Sequence, residues 1–220
     1  MPLTTRPAAI IFDLDGTLVD TVGARIDAWA AVFAEYGIPV SRKQLEPLIG
    51  MDGRRLAIEV AAASGTALDE AQAEEIDRRA GEAFDERNRD PQPLRGAREA
   101  LARLDAAGLT WAIATSSRAE QVAASVAALG LAEAPRIVDG SAVAHAKPAP
   151  DLLLLAAQRL GVAPEGCWYV GDSTWDMRAS VAAGMLAIGV TAGAAVDVDE
   201  LRAAGARVVL ATLDELEVPD

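Results

Sequence analysis

Two aspartates separated by one leucine stand at the end of the first apolar run, where Ala8-Ala9-Ile10-Ile11-Phe12 leads into Asp13-Leu14-Asp15-Gly16-Thr17. A charge does not end a buried strand without cause, because taking it out of water is costly unless it is paired. If the run is a strand inside an open α/β sheet, both carboxylates emerge at its carboxyl end, where such sheets place their ligands. Three more stretches carry comparable chemistry. Thr115-Ser116-Ser117 ends the apolar run that begins at Trp111, and Lys147 lies in the loop Ala144-His145-Ala146-Lys147-Pro148. Gly171-Asp172-Ser173-Thr174-Trp175-Asp176 follows Trp168-Tyr169-Val170.

On one rim of a parallel sheet these stretches assemble four carboxylates, one ammonium and several hydroxyls. They form no histidine–serine–acid triad and no cluster of soft metal ligands. Oxygen-only carboxylate sites select hard cations, and one with few protein ligands and room for water and phosphate oxygens suits Mg²⁺. Phosphoryl transfer is the chemistry such a set can perform. Asp13 can hold the ion and also attack phosphorus, forming an aspartyl-phosphate, while the ion offsets repulsion between nucleophile and substrate. Lys147 adds a fixed positive charge. The Thr115 hydroxyl and adjacent backbone N–H groups, Ser116 included, can donate to phosphate oxygens. Asp15, two residues on from Asp13, can give a proton to the leaving oxygen and later take one from water. Gly16 lets the turn form without steric cost.

The elements that must position these groups follow from periodicity. From Gly96 onward, helical stretches alternate with short apolar runs, and the helices stop at Gly108, Gly130, Gly161 and Gly184. Glycine best takes the left-handed terminal conformation, and the cadence is that of parallel βαβ units. The expected fold is therefore α/β, a doubly wound parallel sheet. The first two strands lie about a hundred residues apart, far more than the ~30 a βαβ unit needs. Residues 19–91 read as helical throughout, with stretches from Thr21 to Gly37, Ser41 to Leu48, Arg55 to Ala63 and Asp69 to Arg87. The segment ends in the proline-rich linker Asn88-Arg89-Asp90-Pro91-Gln92-Pro93. The expected organisation is a core of residues 1–18 and 92–220 with an inserted α-helical cap of residues 19–91, placed to act as a lid.

Composition narrows the partners. The chain of 220 residues is 51% hydrophobic and 24% charged, the balance of a folded globular protein. Its net charge of −13 opposes binding to nucleic acid or an anionic membrane surface, although a local cation can still admit a small anionic metabolite. Met1 to Pro7 carries no long apolar leader, and no run approaches the ~20 apolar residues of a membrane span. The single Cys167 excludes an internal disulfide framework and fits a reducing cytoplasm; its flanks read as a buried strand.

These residues give the chain a family resemblance. It resembles the haloacid dehalogenase superfamily, in the branch whose helical cap is inserted after the first strand. The matching residues are Asp13-Leu14-Asp15-Gly16-Thr17, Thr115, Lys147 with Pro148 and Asp151, and Gly171-Asp172 with Asp176, in the family's order. The resemblance implies a Rossmann-like core and Mg²⁺. It implies Asp13 as nucleophile and metal ligand, and Asp15 as acid/base with its backbone carbonyl on the metal. Thr115 and Lys147 would bind phosphate, Asp172 would ligate the metal and Asp176 would support it through water. The most similar branches are phosphoglycolate-phosphatase-like and β-phosphoglucomutase-like, and Asp15 argues against the true dehalogenases, which lack it. In Pro93-Leu94-Arg95-Gly96 an arginine stands where proline commonly precedes glycine, a departure that concerns the hinge and not the chemistry.

The expected activity is hydrolysis of a small phosphate monoester through phospho-Asp13. Asp13, Asp15, Thr115 and Lys147 would be catalytic, and Gly16, Thr115, Ser116 and Lys147 would surround the phosphate. Asp13, Asp15, Asp172 and Asp176 would surround the metal. Sugar phosphomutase is the alternative with the same core chemistry. A phosphonatase needs a cap lysine, for which only Lys43 is available, and a non-catalytic binding module would have little need of the whole set. Outside the set, His145 reads as a loop residue and the acidic stretch Asp69 to Asp77 as a solvated helix face. Arg54 and Arg55 are candidates either for a substrate anion or for plain surface charge, and Trp175 either faces the cleft or packs beneath it.

Overall fold

In the computed structural model, Ile10 and Phe12 point to one side of strand β1 (Ala9–Phe12) and Ala9 and Ile11 to the other, all fully buried. A strand apolar on both faces is stable only where helices cover both, and that places it mid-sheet. The structure describes residues 5–219. Met1 to Thr4, which open the segment read as lacking a leader, and Asp220 lie outside the described residues.

After β1 the chain forms β2 (Val19–Asp20) and then helices α1 (Val22–Glu35), α2 (Arg42–Leu45), α3 (Gly53–Ala63) and α4 (Glu70–Arg87). It returns through β3 (Gln92–Pro93), which pairs antiparallel with β2, Val19 opposite Pro93 and Asp20 opposite Gln92. The alternating half follows: α5 (Ala97–Ala106), β4 (Thr110–Ala114), α6 (Ala123–Ala128), β5 (Ile137–Val138), α7 (Asp151–Leu160) and β6 (Cys167–Gly171). Then come α8 (Thr174–Ala182), β7 (Leu186–Val190), α9 (Val198–Ala203) and β8 (Val208–Leu210). The six-stranded sheet has the order β5-β4-β1-β6-β7-β8 with every pairing parallel. The chain builds outward on one side of β1 and then crosses to the other. The carboxyl ends of β4, β1 and β6 therefore meet at the point where the winding reverses, the usual ligand crevice of such sheets.

The doubly wound α/β reading is borne out, with two omissions. The β2–β3 pair and the closing α9–β8 unit were not anticipated, because strands of two or three residues and a helix of six carry too little period to read. The glycine stops hold: Gly37, Gly108, Gly130, Gly161 and Gly184 all take positive φ. Cys167 is a buried free thiol on β6.

The helices α1 to α4 bury a cluster of their own, with Trp29, Val32, Phe33, Leu45, Leu56 and Ile76 at its centre. Trp29 and Phe33 stack at 5.4 Å. One member comes from the other half of the molecule. Trp175, on the first turn of α8, is 6% exposed, packs into this cluster and donates its Nε1–H to the Pro47 carbonyl at 2.8 Å. The residue left open by sequence thus bolts the sheet to the helical lobe. Trp175→Ala should lower stability by about 3–5 kcal/mol, whereas Trp175→Phe, which keeps most of the packing, should cost about 1 kcal/mol. Denaturant unfolding of both variants checks this, and equal losses would contradict it.

Candidate active site

Asp13 directly follows β1, and its backbone N–H bonds to Val170 O at 2.8 Å, continuing the pairing with β6. Thr115 directly follows β4 and bonds likewise to Val138 O at 3.0 Å, while Asp172 directly follows β6. The parallel register carries these three side chains to one rim, and all three are buried. Lys147 reaches them from the loop before α7, 1% exposed despite its charge. Its Nζ donates to Asp13 Oδ1 at 2.6 Å and to Asp176 Oδ1 at 2.7 Å.

Asp176 is completely buried and its acceptors are filled by the protein. Oδ1 also accepts from the Tyr169 hydroxyl at 3.0 Å, and Oδ2 accepts from the backbone N–H and hydroxyl of Ser173. Ser173 in turn caps α8 by accepting from the Asp176 N–H. Asp176 thus serves both the capping box that opens α8 and the ion pair with Lys147. Gly171 makes this approach possible, since a Cβ there would lie 2.5 Å from the Asp176 Cβ. Gly16, at φ +83°, plays the same part on the other side, where a Cβ would collide with the Asp172 carboxylate.

The charges do not balance. Burial, followed by repulsion from Asp176 and Asp13, pushes Asp172 well above the carboxylate range, with only a hydrogen bond from the Thr17 hydroxyl at 3.0 Å and the distant Lys147 opposing. Burial also raises Asp13 to about 7, against the pull of Lys147. Burial works against the Lys147 ammonium, but Asp13 and Asp176 overcome it and raise its pKa. Three buried carboxylates thus gather near one ammonium, which bonds to only two of them. One oxygen from each of Asp13, Asp172 and Asp176 lies within 4.8 Å of the other two. An all-oxygen donor set with surplus negative charge fits a hard divalent cation.

Asp15 stands apart from that group. Its Oδ1 accepts from the Thr21 hydroxyl at 2.7 Å, and its Oδ2 accepts from the Ser117 hydroxyl at 2.5 Å and Arg25 Nη2 at 3.2 Å. Thr21 occupies the N-cap position of α1, but its side chain makes no cap and serves Asp15 instead. Arg25 also donates to Ser117 Oγ at 2.7 Å and lies 3.5 Å above the Phe84 ring. Sequence reasoning missed Arg25. One turn beyond Thr21 on a helix that enters from the site, it had a positional signal that went unused.

Residues of the helical lobe line the cleft opposite the rim of the sheet. Ser116 Oγ donates to Gly50 O at 3.3 Å, and the Asp52 N–H bonds to Lys147 O at 3.1 Å. Arg118 Nη2, on the loop after β4, bonds to Glu74 Oε1 at 2.7 Å and Asp77 Oδ2 at 2.5 Å on α4. The stretch Asp69 to Asp77 is therefore not a uniformly solvated face. The helix turns Glu74 and Asp77, three apart, toward the sheet, where Arg118 draws them in, and Asp77 is buried enough that its carboxyl is raised. Arg54 lines the same cleft and pairs with Asp52 at 3.2 Å. Arg55 turns away, to Glu59 and to the Trp175 ring. His145 is exposed and faces Asp151 at 3.3 Å, as a loop residue would.

The sequence matches the family model for haloacid dehalogenase-like hydrolase over residues 10–190. It is 33% identical over 181 residues to a phosphoglycolate phosphatase of Xanthomonas campestris pv. campestris, covering 81% of this chain and 80% of that protein. It is 32% identical over 192 residues to the fructose-1-phosphate phosphatase YqaB of Escherichia coli, covering 84% and 97%. The crystal structure of a hydrolase from Pseudomonas syringae superposes with a TM-score of 0.88 at 32% identity, covering 93% of this chain and 94% of that one.

The raised Asp13 has a consequence for stability without metal. Its pKa climbs from an ordinary 3.8 to about 7 on folding, so the native state binds the extra proton between those values. Stability associated with Asp13 is then complete at low pH and is lost as pH rises from about 4 through about 7. In chelator-treated protein, the stability of Asp13→Asn relative to that of wild type should rise across that window, by on the order of a few kcal/mol, and level off above it. A pH series of unfolding curves checks this; a flat difference would contradict it.

Proposed function

The chain belongs to the haloacid dehalogenase-like hydrolases and is a phosphatase of that family, and we propose that it hydrolyses a small phosphate monoester through a covalent phospho-Asp13 intermediate with Mg²⁺ as cofactor. The observation that carries this reading is the arrangement around Asp13. One carboxylate oxygen is held by Lys147 at 2.6 Å, Asp172 stands beside it, and the cleft opens above. A buried carboxylate pinned through one oxygen leaves the other for attack on phosphorus.

Asp13 and Asp172, with the backbone carbonyl of Asp15, would hold Mg²⁺; Asp176, its oxygens taken by Lys147, Tyr169 and Ser173, would support the group from beneath. When bound, the ion supplies positive charge that offsets repulsion between Asp13 and the phosphate. The chain's own residues do the rest. Lys147 keeps Asp13 oriented and adds its charge to the phosphoryl oxygens. The Thr115 hydroxyl and the backbone N–H groups after it, Ser116 included, donate to those oxygens. Asp13 attacks phosphorus, the P–O bond to the alcohol breaks, and Asp15 gives its proton to the leaving oxygen. Asp15 then takes a proton from water, which attacks the phospho-Asp13 and frees phosphate.

Thr21, Ser117 and Arg25 hold the Asp15 carboxylate on the wall of the cleft. Helices within residues 19–91 act as a cap over the catalytic core, shielding the phospho-enzyme from stray water. Among the described residues no helix is long and apolar enough to cross a membrane. The free Cys167 fits work in the cytoplasm.

Asp13→Asn should lower phosphate release from any ester by about a thousandfold or more while leaving the fold intact by circular dichroism. Chelation should abolish wild-type release and Mg²⁺ should restore it. Rapid acid quench followed by mass spectrometry should find the phosphoryl group on Asp13; a label on another residue, or undiminished turnover by the variant, would refute the mechanism.

A further inference from the structure

The outer wall of the cleft has a charge pattern that bears on the substrate, given the phosphatase reading above. The cleft, about 330 Å³, runs from Asp13 and Lys147 outward between the rim of the sheet and the lobe. Its outer part is lined by three arginines, Arg25, Arg54 and Arg118, and three carboxylates, Asp52, Glu74 and Asp77. Each of these arginines is already engaged. Arg118 is shared by Glu74 and Asp77, Arg54 pairs with Asp52, and Arg25 bonds to Asp15 and Ser117.

A substrate with a second anionic group would need one of these cations. A ligand carboxylate approaching the remaining N–H groups of Arg118 would stand beside Glu74 and Asp77, two like charges already bonded to its Nη2. Asp77 has little room to retreat, because α3 passes so close that a Cβ on Gly53 would collide with its Oδ1. The same wall suits hydroxyl groups. A carboxylate oxygen has more than one lone pair, so Glu74 and Asp77 retain acceptor capacity after binding Arg118. The Gln121 amide and the Ser141 hydroxyl add neutral polar partners along the same surface.

We propose that the leaving group is a neutral polyhydroxylated alcohol, as in a polyol or sugar monophosphate, and that Glu74 and Asp77, tied to Arg118, accept its hydroxyls and exclude esters whose alcohol part carries a carboxylate. Repulsion does as much here as attraction, which is how a small site separates ligands of equal size.

Glycerol 3-phosphate and 3-phosphoglycerate make a matched pair, alike in size and differing at one carbon as hydroxymethyl against carboxylate. With the Mg²⁺-loaded enzyme, kcat/KM for glycerol 3-phosphate should exceed that for 3-phosphoglycerate by about tenfold or more. Asp77→Asn and Glu74→Gln each free part of Arg118 and should shift the ratio several-fold toward 3-phosphoglycerate. Glu74 is half-exposed, so the second variant tests the idea even if the first fails to fold. p-Nitrophenyl phosphate, run alongside, separates the two levels of the argument. Its hydrolysis together with equal or reversed preference within the pair, no turnover of either member, or a ratio unmoved by both variants overturns this inference alone. No hydrolysis of any ester overturns the phosphatase reading with it.

Discussion

The Lys147 ammonium, buried between Asp13 and Asp176, is the interaction on which the rest of the site depends. A lysine with its charge out of water survives only if carboxylates surround it, and breaking such a group by removing one partner typically costs about 3–5 kcal/mol. Three carboxylates around one ammonium still leave negative charge in excess, which burial turns into raised pKa values at Asp13 and Asp172. Every buried side-chain nitrogen and oxygen among the described residues nevertheless has a hydrogen-bond partner. The network is thus complete in its hydrogen bonds and incomplete in its charge. That combination suits a site built to receive a cation.

The same interaction explains why the polypeptide is arranged around one rim. Lys147 comes from a loop, Asp13 from the end of β1, and Asp176 from the third position of α8. Their meeting requires the sheet order in which β1 lies between β4 and β6. Gly171 and Gly16 then permit the close approaches that larger residues would prevent. Chemistry is thereby assigned to strand ends, whose positions the hydrogen-bond ladder holds rigidly. The residues that line the outer cleft come from the lobe and from the loop after β4. Trp175 and the Arg118 ion pairs join these two parts, one through packing and the other through charge. Only the second lines the cleft.

Much of the site could be read from the chain alone because its residues sit at punctuation points. Asp13-Leu14-Asp15-Gly16, Thr115 and Gly171-Asp172 each follow an apolar run that can only be a buried strand, and parallel strands bring their carboxyl ends together. The helix stops at glycine were legible for a similar reason, since a local backbone conformation demands that residue. Arg118, Glu74 and Asp77 were not legible, and Arg25 offered only its position one turn beyond Thr21. Each lies on a helix or loop with an ordinary surface composition, and its significance comes from a partner 10 to 92 positions away.

The sequence by itself therefore determined the fold class, the parallel rim and the oxygen-rich chemistry placed there. Those follow from local periodicity and from the cost of burying charge, and neither requires knowledge of distant contacts. The tertiary structure alone decided which carboxylates share Lys147 and that Asp15 turns from that group toward Thr21, Ser117 and Arg25. It also decided that two residues of an acidic helix face inward. Those outcomes depend on how the lobe docks on the sheet, which pairs side chains that no spacing along the chain relates.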